Sequence, residues 1–191
     1  MTRYYEMHDD VHVPGRWFLS DPVDRNGKSL DWVFGKATPV QVAQPIRLSF
    51  NPHAETRRPV DYSELSIENV PVVHVRIATV LSELAPTDVQ IFPVTIEGQP
   101  DQFCLVNVAR SVKCIDDARS REVERYTAAD AELYPERIGE YKSVGRLRID
   151  PSQVGDARIF RTWGWIAIIV SEEIKSALER IGTVGVTFHE V

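Results

Sequence analysis

The residues best suited to chemistry are the five of the HDDVH segment, where His8 and His12 stand four apart with Asp9 and Asp10 between them. On a helix that spacing sets two imidazoles on one face, as in metal sites. The surrounding sequence has no helical periodicity and no second ligand cluster, and Pro14 and Gly15 close it, so the two histidines read as solvated surface groups. His53, His74 and His189 are isolated. Each is a general-base type, but a base needs a positioned nucleophile, and neither a GxSxG elbow nor a cysteine at a helix start occurs. GxGxxG and GxxxxGK[ST] are also absent, so nucleotide phosphates have no backbone cradle in the sequence. Cys104 and Cys114, in FCLVNVARSVKCID, read as lying on two strands, 103–108 and 112–116, joined by a tight turn. A cross-strand disulfide is geometrically conceivable there. Two thiols in a chain with no export signal read instead as reduced, buried and inert, and their spacing lacks the close pairing of structural zinc sites. No catalytic, cofactor-binding or metal-ligating residue is therefore assigned, and no cofactor is expected.

The elements that carry these residues follow from apolar periodicity. Residues 166–170 are apolar without alternation, which suits a strand covered on both faces, and Ser171 stands at a helix N-cap position. Glu172 and Glu173 in the first turn, an apolar stripe of Ile174, Ala177, Leu178 and Ile181, and a closing Gly182 define the helix. With 183–188 as a further strand, this is a βαβ unit whose strands are parallel if they share a sheet. A second helix is read over 72–84, with Pro71 in its first turn and an apolar stripe of Val73, Ile77, Val80, Leu81 and Leu84. A strand over 89–96 and the cysteine hairpin follow it. Residues 116–125 form a charge-rich connection and 127–133 a short helix stopped by Pro135, while 142–149 and 157–162 look like a pair of strands. Half of the 12 prolines fall within 14–59, together with Gly15, Gly27 and Gly35, so 1–65 reads as an N-terminal layer of short strands and loops over a helix-and-sheet core at 66–191.

Composition bounds the partners. With 191 residues and 43% apolar content, one substantial core is expected. Lys plus Arg total 22 against 28 Asp plus Glu, and the net charge of -6 argues against nucleic acid or anionic membrane as a partner through bulk attraction. It favours a basic partner, or simply solubility. The polar, acidic N-terminus does not read as a signal peptide, and a cytoplasmic location is expected.

Two groups remain as surface candidates. Trp163 and Trp165, around Gly164, are of the residue type enriched at interface hot spots; read as the start of a strand, their i, i+2 spacing sets both rings on one face as a packed pair. Asp116 and Asp117, with Glu122 and Glu124, are interleaved with Arg119, Arg121 and Arg125, which suggests a self-neutralising loop.

The segments WFLSDP and GKSLDWVFG (17–35), VPVVHVRIATVLSELAPTDVQIFPV (70–94), NVARSVKCIDDARS (107–120), and LRIDPSQV with IFR, IVSEEIKSALE and GVTF (147–188) are mostly framework. In their number and order the chain resembles immunity protein family eleven of bacterial polymorphic toxin systems. The resemblance implies a cytoplasmic antidote that binds and neutralises a cognate toxin made by the same cell. Acidity suits a basic, nuclease-like toxin, and the contact residues expected on the antidote are Asp9, Asp10, Asp116, Asp117, Trp163 and Trp165. The rival readings are a metal-dependent enzyme built on the N-terminal His/Asp group and a small-ligand domain with its site between the N-terminal layer and the sheet. The expected fold is a single α+β domain: a mixed sheet with two main helices packed on it and the proline-rich segment added at an edge.

Overall fold

The computed structural model describes residues 2–30, 33–53, 56–66 and 68–191; Asp31 and Trp32 of the GKSLDWVFG segment lie outside the described residues. In chain order the elements are β1 (Tyr4–Asp9), β2 (Ile46–Leu48), β3 (Tyr62–Leu65), β4 (Val70–His74), α1 (Val75–Leu84), β5 (Val89–Ile96), β6 (Phe103–Val108) and β7 (Ser111–Val112). They continue with β8 (Arg121–Arg125), β9 (Tyr141–Gly145), β10 (Ile159–Thr162), β11 (Ile168–Ser171), α2 (Glu172–Arg180) and β12 (Val186–Glu190).

The fold is α+β, with two mixed five-stranded sheets where the sequence suggested one. The first runs β12-β1-β11-β10-β7 and the second β2-β5-β6-β4-β3, with β8 and β9 as a separate ribbon. The apolar runs explain the doubling, because strands buried on both faces can separate three cores. In β11, Ile168 and Val170 enter a central core while Ile169 enters another on the opposite face; in β6, Cys104, Val106 and Val108 face that same central core while Phe103 and Leu105 face a third. The central core holds both helices, through Ile77, Ala78 and Leu81 of α1 and Ile174 and Leu178 of α2. The outer face of the second sheet is covered by the N-terminal segment, with Trp17, Leu19, Leu30 and Phe34 packed on Val70, Val72, Phe103 and Leu105. That segment is divided between the sheets: β1 is interior to the first, and β2 is an edge of the second.

The βαβ reading survives with one addition. β11 and β12 both pair antiparallel with β1, so they are parallel to each other with β1 between them. The Ser171 hydroxyl accepts from the Ile174 N–H, and Gly182 follows the helix in a left-handed conformation at φ +66.

Three expectations are corrected. Pro71 lies inside β4, opposite Glu64 of β3, and α1 begins only at Val75, capped by His74; the continuous apolar stretch at 70–73 is buried as a strand before the helical period takes over. The cysteine hairpin does not form: β6 pairs with β4 and β5, whereas β7 leaves for the other sheet and pairs parallel with β10. Cys104 and Cys114 therefore sit in different cores, each a free, buried thiol, and burial pushes Cys114 up to about 12. The strands at 142–149 and 157–162 are not partners either, since β9 pairs with β8 and β10 with β11 and β7.

Two buried charges hold the layers together. The Asp88 carboxylate, at the entry to β5, accepts the Arg158 N–H (2.8 Å), the Ile159 N–H (3.4 Å) and the Arg110 guanidinium (3.1 Å), which ties the second sheet to β10. The Arg16 guanidinium donates to Asp9, to the Asp10 and Trp17 carbonyls and to the Ser63 hydroxyl.

Candidate partner-binding cleft

The β10–β11 turn builds one wall of a cleft of about 640 Å³. Gly164 makes the turn at φ +71, where a Cβ would stand 3.2 Å from the Glu140 Cα. Its carbonyl accepts the Tyr141 N–H (3.0 Å), and the Trp163 N–H donates to the Val112 carbonyl (2.9 Å). Because Trp163 occupies a turn and not a pleated strand, the two indoles do not share an environment, contrary to the i, i+2 reading. Trp163 is 37% exposed, with the Lys113 ammonium 4.8 Å from its ring centroid, whereas Trp165 is half-buried against the core beneath β11.

Residues 34–37 with Glu68 line another side, and Glu136, Arg137 and Glu140 of the segment 126–140 a third. Thr127 caps a single 3-10 turn at Ala128–Asp130 through a reciprocal capping box, and Lys142 pairs with Asp130 at 3.0 Å. Arg137 pairs with Glu140 (3.1 Å) and lies over the Tyr126 ring. Leu133, Tyr134 and Ile138 of this segment stay exposed.

Arg161 is the cleft's buried cation. It pairs with Ile168 across the sheet and lies on the same face as Ile159, so its side chain is directed into the space between the two sheets. It is 3% exposed, and burial lowers its pKa, with Glu68 the first of the charges that oppose the shift. Its Nη2 reaches the Asn69 carbonyl at 3.4 Å, while Nε and Nη1 have no hydrogen-bond partner among the described residues. Close by, burial raises Glu64 to about 7 although the Tyr62 hydroxyl donates to it (2.8 Å).

The residues singled out from sequence fall in two places. Asp117 belongs with the cleft wall: it accepts from the Tyr141 hydroxyl (2.6 Å) and from Arg125 (2.8 Å), and Tyr141 is the residue bonded to Gly164. Burial pushes Asp117 upward, but these two donors outweigh it and its pKa is lowered. Asp116 caps its own turn by accepting the Ala118 and Arg119 N–H groups. Asp9 and Asp10 lie apart, at the end of β1, with Asp9 engaged by Arg16 and Asp10 accepting the His12 N–H. His8 is on a strand beside Glu6 (3.2 Å) and His189, and among the described residues no group of three or more metal-ligating side chains forms. Between the N-terminal layer and the second sheet, Trp17 packs on Phe103 with ring centroids 5.1 Å apart, while residues 34–37 of that layer line the cleft itself. Arg161 was not singled out from sequence; its one signal is a charged residue in the otherwise buried run IFRT.

The chain matches the model of the immunity protein family Imm11 over residues 1–191. It belongs to that family. No curated protein matches the chain significantly. Membership assigns Imm11 proteins an immunity function with a toxin as the general partner, and the family is generally non-enzymatic. No helix among the described residues is long and apolar enough to cross a membrane.

Proposed function

We propose that the chain is a cytoplasmic immunity protein of a bacterial polymorphic toxin system, neutralising a cognate toxin by direct binding. The whole-length family match carries this reading. The physical support is apolar exposure: Trp163 and Ile166 line the cleft, and Leu133, Tyr134 and Ile138 are exposed on the segment that also supplies cleft residues 136, 137 and 140. We further propose that the toxin is basic, since the net charge of -6 raises the encounter rate with a cation more than it adds to final affinity. Asp117, beside the cleft wall, is the best-placed of the acidic contact candidates, while Asp9 is largely committed to Arg16.

Co-expression with the product of the neighbouring gene tests the proposal. The two proteins are expected to co-purify, and cells producing the toxin are expected to survive only when this chain is present. Failure of both, with no co-purification and no survival, would overturn it.

A further inference from the structure

Three buried charged side chains stand out among the described residues, Arg16, Asp88 and Arg161. Arg16 donates to four groups and Asp88 accepts from four, whereas Arg161 leaves two of its three nitrogens unbonded. A buried guanidinium without partners is costly to keep, and its planar fork matches a carboxylate in two parallel hydrogen bonds. Counting Arg161, the three cations of the lining (Lys36, Arg137, Arg161) match its three carboxylates (Glu68, Glu136, Glu140), so the cleft is neutral. A dianionic phosphate would find no surplus of positive charge there, and a single carboxylate would be selected by the open hydrogen-bonding fork of Arg161 and not by bulk charge. The lining adds apolar contact: Trp163 and Ile166 are two of the eight exposed large apolar side chains among the described residues, and Leu133, Tyr134 and Ile138 are exposed on the chain segment that contributes Glu136, Arg137 and Glu140, an apolar surface that a free small acid does not require.

We infer that this cleft is the seat of a carboxylate anchor from the partner protein, an acidic side chain or chain terminus flanked by apolar residues, bound by Arg161 beside Trp163. This rests on the immunity reading for the partner's nature, but the chemistry of the cleft can be tested without it. Nε and Nη1 are covered in the free protein, so binding requires the side chains above them to move aside.

Two measurements decide the matter. The first follows the Arg161 Nε–H and tryptophan indole resonances of the intact protein by NMR during titration with N-acetylphenylalanine, its amide, and acetate. The acid should give saturable shifts, with the amide and acetate weaker by about tenfold or more. Equal responses to acid and amide, equal responses to acid and acetate, or no movement of Arg161 up to about 0.1 M acid would each overturn the inference. The second measures affinity for the neighbouring gene's product. Arg161→Gln and Trp163→Ala should each weaken binding about tenfold or more with thermal unfolding retained, and Arg161→Lys, which keeps charge but not the fork, should fall between. Full affinity of folded Arg161→Gln would overturn the anchor while leaving the immunity reading intact. Should Arg161→Gln fail to fold, Trp163→Ala and Arg161→Lys carry the test, and full affinity in both would overturn it. If the wild-type chain binds no such product, the immunity reading fails and the titration still decides the cleft.

Discussion

Arg161 and Glu64 are both ionisable groups in the space between the sheets, and their environments penalise the charged form of each. For Arg161 the consequence is a stability test. An ordinary core residue loses stability when truncated, but replacing a buried charge that leaves two of its nitrogens unbonded with an apolar side chain of similar length removes a desolvation cost. Arg161→Met is therefore expected to leave the protein as stable or to stabilise it by roughly 1–4 kcal/mol, measured by denaturant unfolding; a large loss would mean that the guanidinium is structurally paired in solution. For Glu64 the consequence is pH dependence. Its folded pKa is raised from 4.5 to about 7, so between those values the native state holds a proton that the unfolded chain releases. Stability from this group is fully present below pH 4.5 and is lost as pH rises through about 7, a swing of roughly 3 kcal/mol. Glu64→Gln keeps an acceptor for Tyr62 and should flatten the melting profile across that window, with equal stability near pH 4.5 and a higher melting temperature than wild type at pH 7. Parallel profiles for the two proteins would contradict this.

At the level of elements, local signals were legible where they were self-contained. Ser171, the two glutamates after it and Gly182 define α2 with no help from the rest of the chain, and β5 and β6 have the bounds expected from 89–96 and 103–108. Pairing was not legible. The tight turn expected after β6 is instead a crossing from one sheet to the other, because a two-residue β7 finds its hydrogen bonds beside β10, a partner distant in sequence. Pro71 misled for a related reason: a helix N1 and a strand position opposite β3 both tolerate proline, and only the tertiary partners separate them. The register of α2 gives a direct check. Leu178 is fully buried in the central core, so Leu178→Ala should cost about 2–5 kcal/mol. Glu179 is exposed and forms an i,i+4 pair with Lys175 (2.7 Å), so Glu179→Ala should cost about 0.5 kcal/mol or less. Equal losses in denaturant unfolding would place the wrong face of the helix inward.

Across the whole molecule, charge and cleft act at different ranges. The acidic excess is spread over the surface and falls off within about 10 Å at ordinary salt, so it governs how often a basic partner arrives. The cleft engages only after docking and governs how long the partner stays. Family membership was legible because framework segments recur in order along the chain, yet the cleft was not, since its lining is gathered from 34–37, Glu68, 136–140 and 161–166 and its cation from a strand that reads as ordinary core. The two ranges separate experimentally through Asp116 and Asp117. Both carboxylates accept internal hydrogen bonds, so charge reversal would disturb the wall itself, whereas asparagine keeps an acceptor and removes only the charge. Asp116→Asn with Asp117→Asn should change unfolding by roughly 1 kcal/mol or less and slow association with the neighbouring gene's product at low salt, with dissociation nearly unchanged. Arg161→Gln should show the reverse, a normal association rate and dissociation faster by about tenfold or more. Stopped-flow association at low and high salt reads the first and surface plasmon resonance the second. An association rate that is insensitive to salt and to both aspartates would remove the basic-partner proposal and leave the cleft to account for recognition alone.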